Sequence, residues 1–167
     1  MQNNLQSSED FGLSPYFVDG SSTPGFGWER FQDKIDALPE NLYGLLVDEK
    51  TVDFIGSLTR RYAQLSVQGP DIARIIRDVI LTDVYIGDMP SEVSKKLGVD
   101  QNMALEIART VVSQLFAPVI EDIKKLQFQR FGKLPGSSAP QSTAPQKVPG
   151  EDLPETGGNI IDLRSKS

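Results

Sequence analysis

Between residues 28 and 131 apolar side chains recur at helical spacing, and from 132 to 158 they give way to Pro, Gly, Ser and Thr. They return once more at Asn159-Ile160-Ile161-Asp162-Leu163-Arg164. Only the middle stretch carries stripes that a set of helices can bury together. The stretch after it has too little apolar surface to offset the entropy of ordering its backbone. The expectation is an all-α protein: one bundle of five to six helices with disordered N- and C-terminal arms. Its divisions are an acidic arm at 1–25, a helical domain at 26–131, a linker at 132–158 and an apolar linear motif at 159–167. A folded body, a tether and a sticky tip suit a chain that holds a partner better than one that closes around a substrate.

The stripes can be read one by one. Trp28, Phe31, Ile35 and Leu38 share a helix face that Pro39 ends. An apolar turn through Leu42, Tyr43, Leu45 and Leu46 follows. Asp48 then caps a helix whose buried side is Val52, Ile55, Leu58, Tyr62 and Leu65. Pro70 opens the next helix, with Ile72, Ile75, Ile76, Val79 and Ile80 inward and Asp71, Arg74, Arg77 and Asp78 outward. Ser91 caps a short helix stopped by Gly98, and Asp100 caps another. The face of that last helix, from Met103 and Ala104 through Leu115 and Phe116, is broad enough for the central position in the core. Pro118 predicts a kink or restart at Ala117. A final helix uses Val119, Ile120, Ile123, Leu126 and Phe128. In the arm, Phe11, Leu13, Tyr16, Phe17 and Val18 form a cluster that either docks back on the domain or serves as a second contact motif.

Composition narrows the chemistry. With no Cys and no His among 167 residues, thiolate nucleophiles, imidazole bases and the Ser-His-Asp arrangement are all excluded. The formal net charge is −6, and no segment is basic enough to attract a phosphate backbone, so nucleic acid is not an expected partner. The opening residues Met1-Gln2-Asn3-Asn4-Leu5-Gln6 lack the basic start and apolar run of a secretory leader. No run of 18 consecutive apolar residues occurs, so the expectation is a cytoplasmic protein with no membrane-spanning helix. No cofactor is implied.

Several motifs invite a sharper reading. Residues 91–114 have the grammar of a helix-turn-helix, but a DNA reader needs its second helix to present polar groups to base edges. Gln101, Asn102, Glu106 and Arg109 are few among apolar neighbours, so a corner of the core is expected. Leu153-Pro154-Glu155-Thr156-Gly157 matches the pentapeptide cleaved by sortases, yet the apolar anchor and basic end that hold such substrates in a membrane are missing after it. Asp78, Asp83, Asp88 and Glu92, with the adjacent Glu121 and Asp122, are the only candidates for acid–base or Mg²⁺ chemistry. Their alternation with Arg77, Lys124 and Lys125 reads instead as a solvated face. Gly25-Phe26-Gly27 lacks the preceding strand and third glycine of a phosphate-cradling loop.

The tip remains. Burying Ile160, Ile161 and Leu163 gains about 5–8 kcal/mol gross, while ordering six backbone residues costs about 1 kcal/mol each or more. Alone it binds weakly, and tethering or multivalency would supply useful occupancy. Asp162 and Arg164 would set its register against opposite charges. It would add to a sheet edge as a strand or enter a groove as a helical turn.

The run 67–86, the stretch Val93-Ser94-Lys95-Lys96-Leu97-Gly98-Val99, and 104–116 with Pro118 and Ile120 together resemble a small helical domain. That domain recurs in uncharacterised proteins of candidate-phyla-radiation (Patescibacteria) bacteria. Some of these also look similar in a Pro-rich stretch and an ending like Ile160-Ile161-Asp162-Leu163. The resemblance covers roughly residues 48–129 and the tip. It implies an all-α fold and a cytoplasmic bacterial protein, and it lends no activity. The reading is therefore a non-catalytic adaptor or scaffold that binds an unknown protein through Ile160, Ile161, Asp162, Leu163 and Arg164. Self-assembly, nucleic-acid binding through the helix-turn-helix, and a carboxylate-only enzyme are its rivals.

Overall fold

The computed structural model describes residues 12–19, 27–65 and 67–132. All lie in the first of two units into which the chain divides, Met1–Ser137 and Ser138–Ser167. Among the described residues the fold is all-α, with seven α-helices and no strand.

Helix α1 (Trp28–Asp36) buries Phe31 and Ile35, one turn apart. Pro39 then takes the cap position of α2 (Glu40–Val47), where the sequence reading expected only a turn. Leu42 and Leu46, at i and i+4, are fully buried there. Asp48 ends α2 and caps α3 (Glu49–Arg61), its carboxylate accepting the Lys50 amide at 3.0 Å. Val52, Ile55, Leu58 and Tyr62 form the expected stripe, whereas Leu65 stays exposed.

Helix α4 (Gly69–Ile80) carries Pro70 in its first turn and is the most enclosed element. Ile72, Ala73, Ile75, Ile76, Val79 and Ile80 are each at most 2% exposed. The central position expected for the helix after Asp100 therefore belongs to α4. A second correction concerns Arg77, expected on the outer face: it is only 8% exposed. The cause is the segment 12–19, which places the Asp19 carboxylate on its guanidinium.

Helix α4 stops in a six-residue Schellman turn. The Thr82 amide donates to Val79 O at 3.2 Å and the Asp83 amide to Asp78 O at 2.8 Å. Such a turn needs a left-handed residue after the cap, usually Gly; here it is Thr82, at φ +59°.

A 3₁₀ turn (Ile86–Asp88) leads into α5 (Met89–Leu97). Ser91, expected as its cap, lies inside the first turn, and Asp88 holds the cap position. Gly98, at φ +65°, closes α5 as expected. Asp100 caps α6 (Gln101–Thr110) by accepting the amides of Asn102 and Met103. The break expected near Pro118 is a π turn (Val111–Phe116) followed by a 3₁₀ turn (Ala117–Val119), after which α7 (Ile120–Phe131) continues. Pro118 lacks a donor and its ring crowds the carbonyl four residues back, and a wider turn relieves both.

The run Gln101–Phe131 holds an 18-residue stretch of mean hydropathy 1.4, long and apolar enough by composition to cross a bilayer. In this fold Ala104, Ile107, Ala108, Val111, Leu115, Phe116 and Ile123 of that run line the core.

One polar side chain joins the far ends. Gln127 is fully buried. Its amide nitrogen donates to Val79 O at 3.0 Å and Val84 O at 2.9 Å, and its oxygen accepts the Ile86 amide at 3.0 Å. It thus pairs the Ile86 amide and the Val84 carbonyl of the α4–α5 connection and adds a second donor to Val79 O, which the Thr82 amide already reaches.

Candidate functional site

Residues 12–19, inside the stretch expected as a disordered arm, fold onto the bundle. Of the two uses open to the arm's apolar cluster, docking is observed for Leu13, Tyr16 and Val18, which pack against the core. Phe11 lies outside the described residues. Ser14 donates its hydroxyl, and Tyr16 its amide, to Leu46 O, each at 3.1 Å. That carbonyl is in the last turn of α2, where no intrahelical donor is left for it.

Asp19 ends the segment between two guanidiniums. Arg74 Nε donates to it at 2.7 Å, and Arg77 pairs with its other oxygen. Burial pushes the Asp19 carboxyl up, but the hydrogen bonds from Arg74 and Arg77 outweigh burial and hold it below the usual carboxylate value. The Asp19 bond in turn raises the Arg74 guanidinium. Arg77 also reaches Asp78 at 3.0 Å, and Asp78 takes Lys96 at 2.9 Å. The result is a network linking the segment, α4 and α5.

Among the described residues, docking brings five aromatic rings together. Tyr16 sits edge-on to Phe17 (4.7 Å between centroids), Phe31 (5.4 Å) and Tyr43 (6.3 Å), and Trp28 meets Phe31 at 5.6 Å. Phe31 is buried beneath, while Phe17, Trp28 and Tyr43 are 43%, 39% and 40% exposed. Next to them opens a cleft of about 500 Å³, with Trp28, Phe31 and Leu81 as its apolar surface and Arg30, Lys34, Asp78 and Asp83 among its charged groups. Lys34 and Asp83 pair with each other. Half-exposed aromatics thus lie contiguous with charged groups on this face.

This surface was not read from the sequence. Trp28 fits the core stripe of α1 by spacing, but it is the first helical residue, so no preceding turn covers it. On α2, Leu42 and Leu46 take the buried line, which turns Tyr43 and Val47 outward. Two of the five rings, Tyr16 and Phe17, also come from 12–19, which has no periodicity to read.

The residues proposed from sequence are placed as follows. Ile160, Ile161, Asp162, Leu163 and Arg164, and the pentapeptide at 153–157, lie outside the described residues. Asp83, Asp88 and Glu92 border a cleft of about 210 Å³ with Tyr85 and Phe131, and Asp78 is not part of it. Glu121 pairs with Lys124 at 2.8 Å, and Asp122 accepts from Asn41. Among the described residues no group of three or more acidic side chains is arranged to hold a metal ion. Gln101 is exposed at the start of α6. Asn102, Glu106 and Arg109 line an open depression on the same helix. Glu106 accepts the Tyr62 hydroxyl at 2.7 Å; burial first, and then this carboxylate, raise that phenol above its ordinary value.

Fold and surface together define an all-α domain with an aromatic patch beside a charged cleft. Comparisons with protein-family models, with curated proteins and with solved structures each found no match.

Proposed function

We propose that this chain is a non-catalytic protein–protein interaction protein, an adaptor or scaffold of the bacterial cytoplasm. It works through the tethered tip Ile160, Ile161, Asp162, Leu163 and Arg164, and through the aromatic patch on the bundle. The patch is the observation that supports it: Phe17, Trp28 and Tyr43 present large rings held edge-on by neighbours, so little side-chain freedom is left to lose on binding. Trp and Tyr in such settings dominate binding energy, with truncation costing about 2 kcal/mol or more, roughly 30-fold in Kd.

The test is a comparative pull-down with three baits: the full chain, a chain lacking 159–167, and Trp28→Ala. A partner retained by the first and lost from both others supports a two-surface adaptor. Identical catches from all three would overturn it. A second reading, self-assembly, is favoured by the same patch, which also suits another copy. Sedimentation of the pure protein separates the two, because only self-assembly raises the mass with no partner added and returns it to the monomer in Trp28→Ala.

A further inference from the structure

We propose that residues 12–19 are a detachable strap, a self-ligand seated in a peptide groove of the bundle, whose docking assembles the aromatic patch and whose release takes it apart. The inference rests on reading that patch as a partner surface, and it gives the surface a regulation.

Three features of the bundle receive the strap, and each fits a short turn-forming segment that ends in a carboxylate. The first is a slot. Gly69 lies so close to Leu13 that a Cβ there would overlap Leu13 Cδ2 and sit 3.0 Å from Thr59 Oγ1, so glycine at the start of α4 makes room for the leucine. The second is the Leu46 carbonyl, which takes the Ser14 hydroxyl and the Tyr16 amide together. The third is the Arg74–Arg77 pair, which receives a carboxylate on two guanidiniums. A hydrophobic slot, a backbone acceptor and a paired cation are how peptide grooves hold short linear segments.

Within the strap the Phe17 and Val18 amides donate to Ser14 O, and the strap is joined to the bundle by the Tyr16 amide on Leu46 O rather than by a helix ladder. Release would break the three anchors. Ordering eight backbone residues opposes those anchors, so the strap opens well below the free energy that unfolds the core. Release has a specific result. Tyr16 is the ring that joins Phe17 and Tyr43 to Phe31, so two of the five rings leave and the patch is dismantled. A partner that prefers the complete patch therefore selects the docked strap.

Residue-resolved hydrogen exchange on the full chain tests this without any partner, comparing the parent with Asp19→Asn and Gly69→Ala. The expected result is exchange at Tyr16, Phe17 and Val18 faster by about tenfold or more in both variants, with Ile76 and Ile107 within about twofold of the parent. A peptide of residues 12–19 added to Asp19→Asn should shift the Leu46 and Gly69 amide signals toward their parent positions. Strap amides that stay at parent rates, or strap and core amides that accelerate together, would overturn the proposal. In the second case Asp19→Asn keeps the result readable even if Gly69→Ala disturbs the start of α4. Because no partner enters, failure here leaves the patch reading standing, and failure of the pull-down leaves the strap intact.

Discussion

Thr82 is the plainest conflict between a residue and its place. A β-branched side chain in the left-handed region costs about 1–2 kcal/mol, yet the Schellman turn closing α4 requires that conformation. Replacing it by Asn, which tolerates the region, should stabilise the protein by about 1 kcal/mol, seen as a higher urea midpoint at unchanged slope. Gln127 points the other way. Gln127→Leu keeps the volume but strands the Ile86 amide and the Val84 carbonyl; each such buried group costs about 1–3 kcal/mol, so a loss of about 3 kcal/mol is expected in the same assay. Neither position was legible. Gln127 falls among Ile123, Leu126 and Phe128 as an ordinary polar residue of an amphipathic helix, and its partners lie more than 40 residues away. Arg77 was assigned to solvent because spacing along α4 cannot reveal that another segment covers it.

Among the elements, most helices could be read because their stripes are local: the α3 and α4 cores, the Asp48 and Asp100 caps and the Gly98 stop depend on neighbours within one turn. The segment 12–19 has no such stripe. It is ordered by groups that come from α2 and α4, which a linear reading cannot bring together. Its pH response follows from Asp19, whose folded carboxyl lies below its ordinary value. That sign means the anchor contributes fully above the ordinary carboxylate range, near 4, and fades as pH falls through the lowered folded value. Arg74 and Arg77 face Asp19, with Asp71 and Asp78 behind them. Strap protection should therefore be flat from pH 8 to about 5 and fall only in stronger acid, while Asp19→Asn should remove this dependence. Exchange at the Tyr16 amide, corrected for intrinsic rate, checks both.

For the whole molecule, the buried apolar side chains from Phe31 to Ile123 make one connected cluster, so damage at one point should be felt everywhere. Phe116 is the largest of the fully buried side chains. Phe116→Ala should cost about 3–5 kcal/mol, a large part of the roughly 5–15 kcal/mol such a domain possesses. Thermal melts followed by circular dichroism and by Trp28 emission should then fall together in a single transition; separate transitions would show that the cluster does not act as one.

The winding around Phe116 also decides where the last helix aims. Val111, Leu115, Val119, Ile123 and Gln127 are all buried, and each stands four positions after the one before. An ordinary α-helix overshoots by about 40° at every such step, so the series would spiral away from its neighbours. The slack coil at Val111–Phe116 gives back part of that overshoot. A proline that looks like an interruption thus accompanies a steering adjustment, one that keeps the Gln127 amide trained on the corner it clasps.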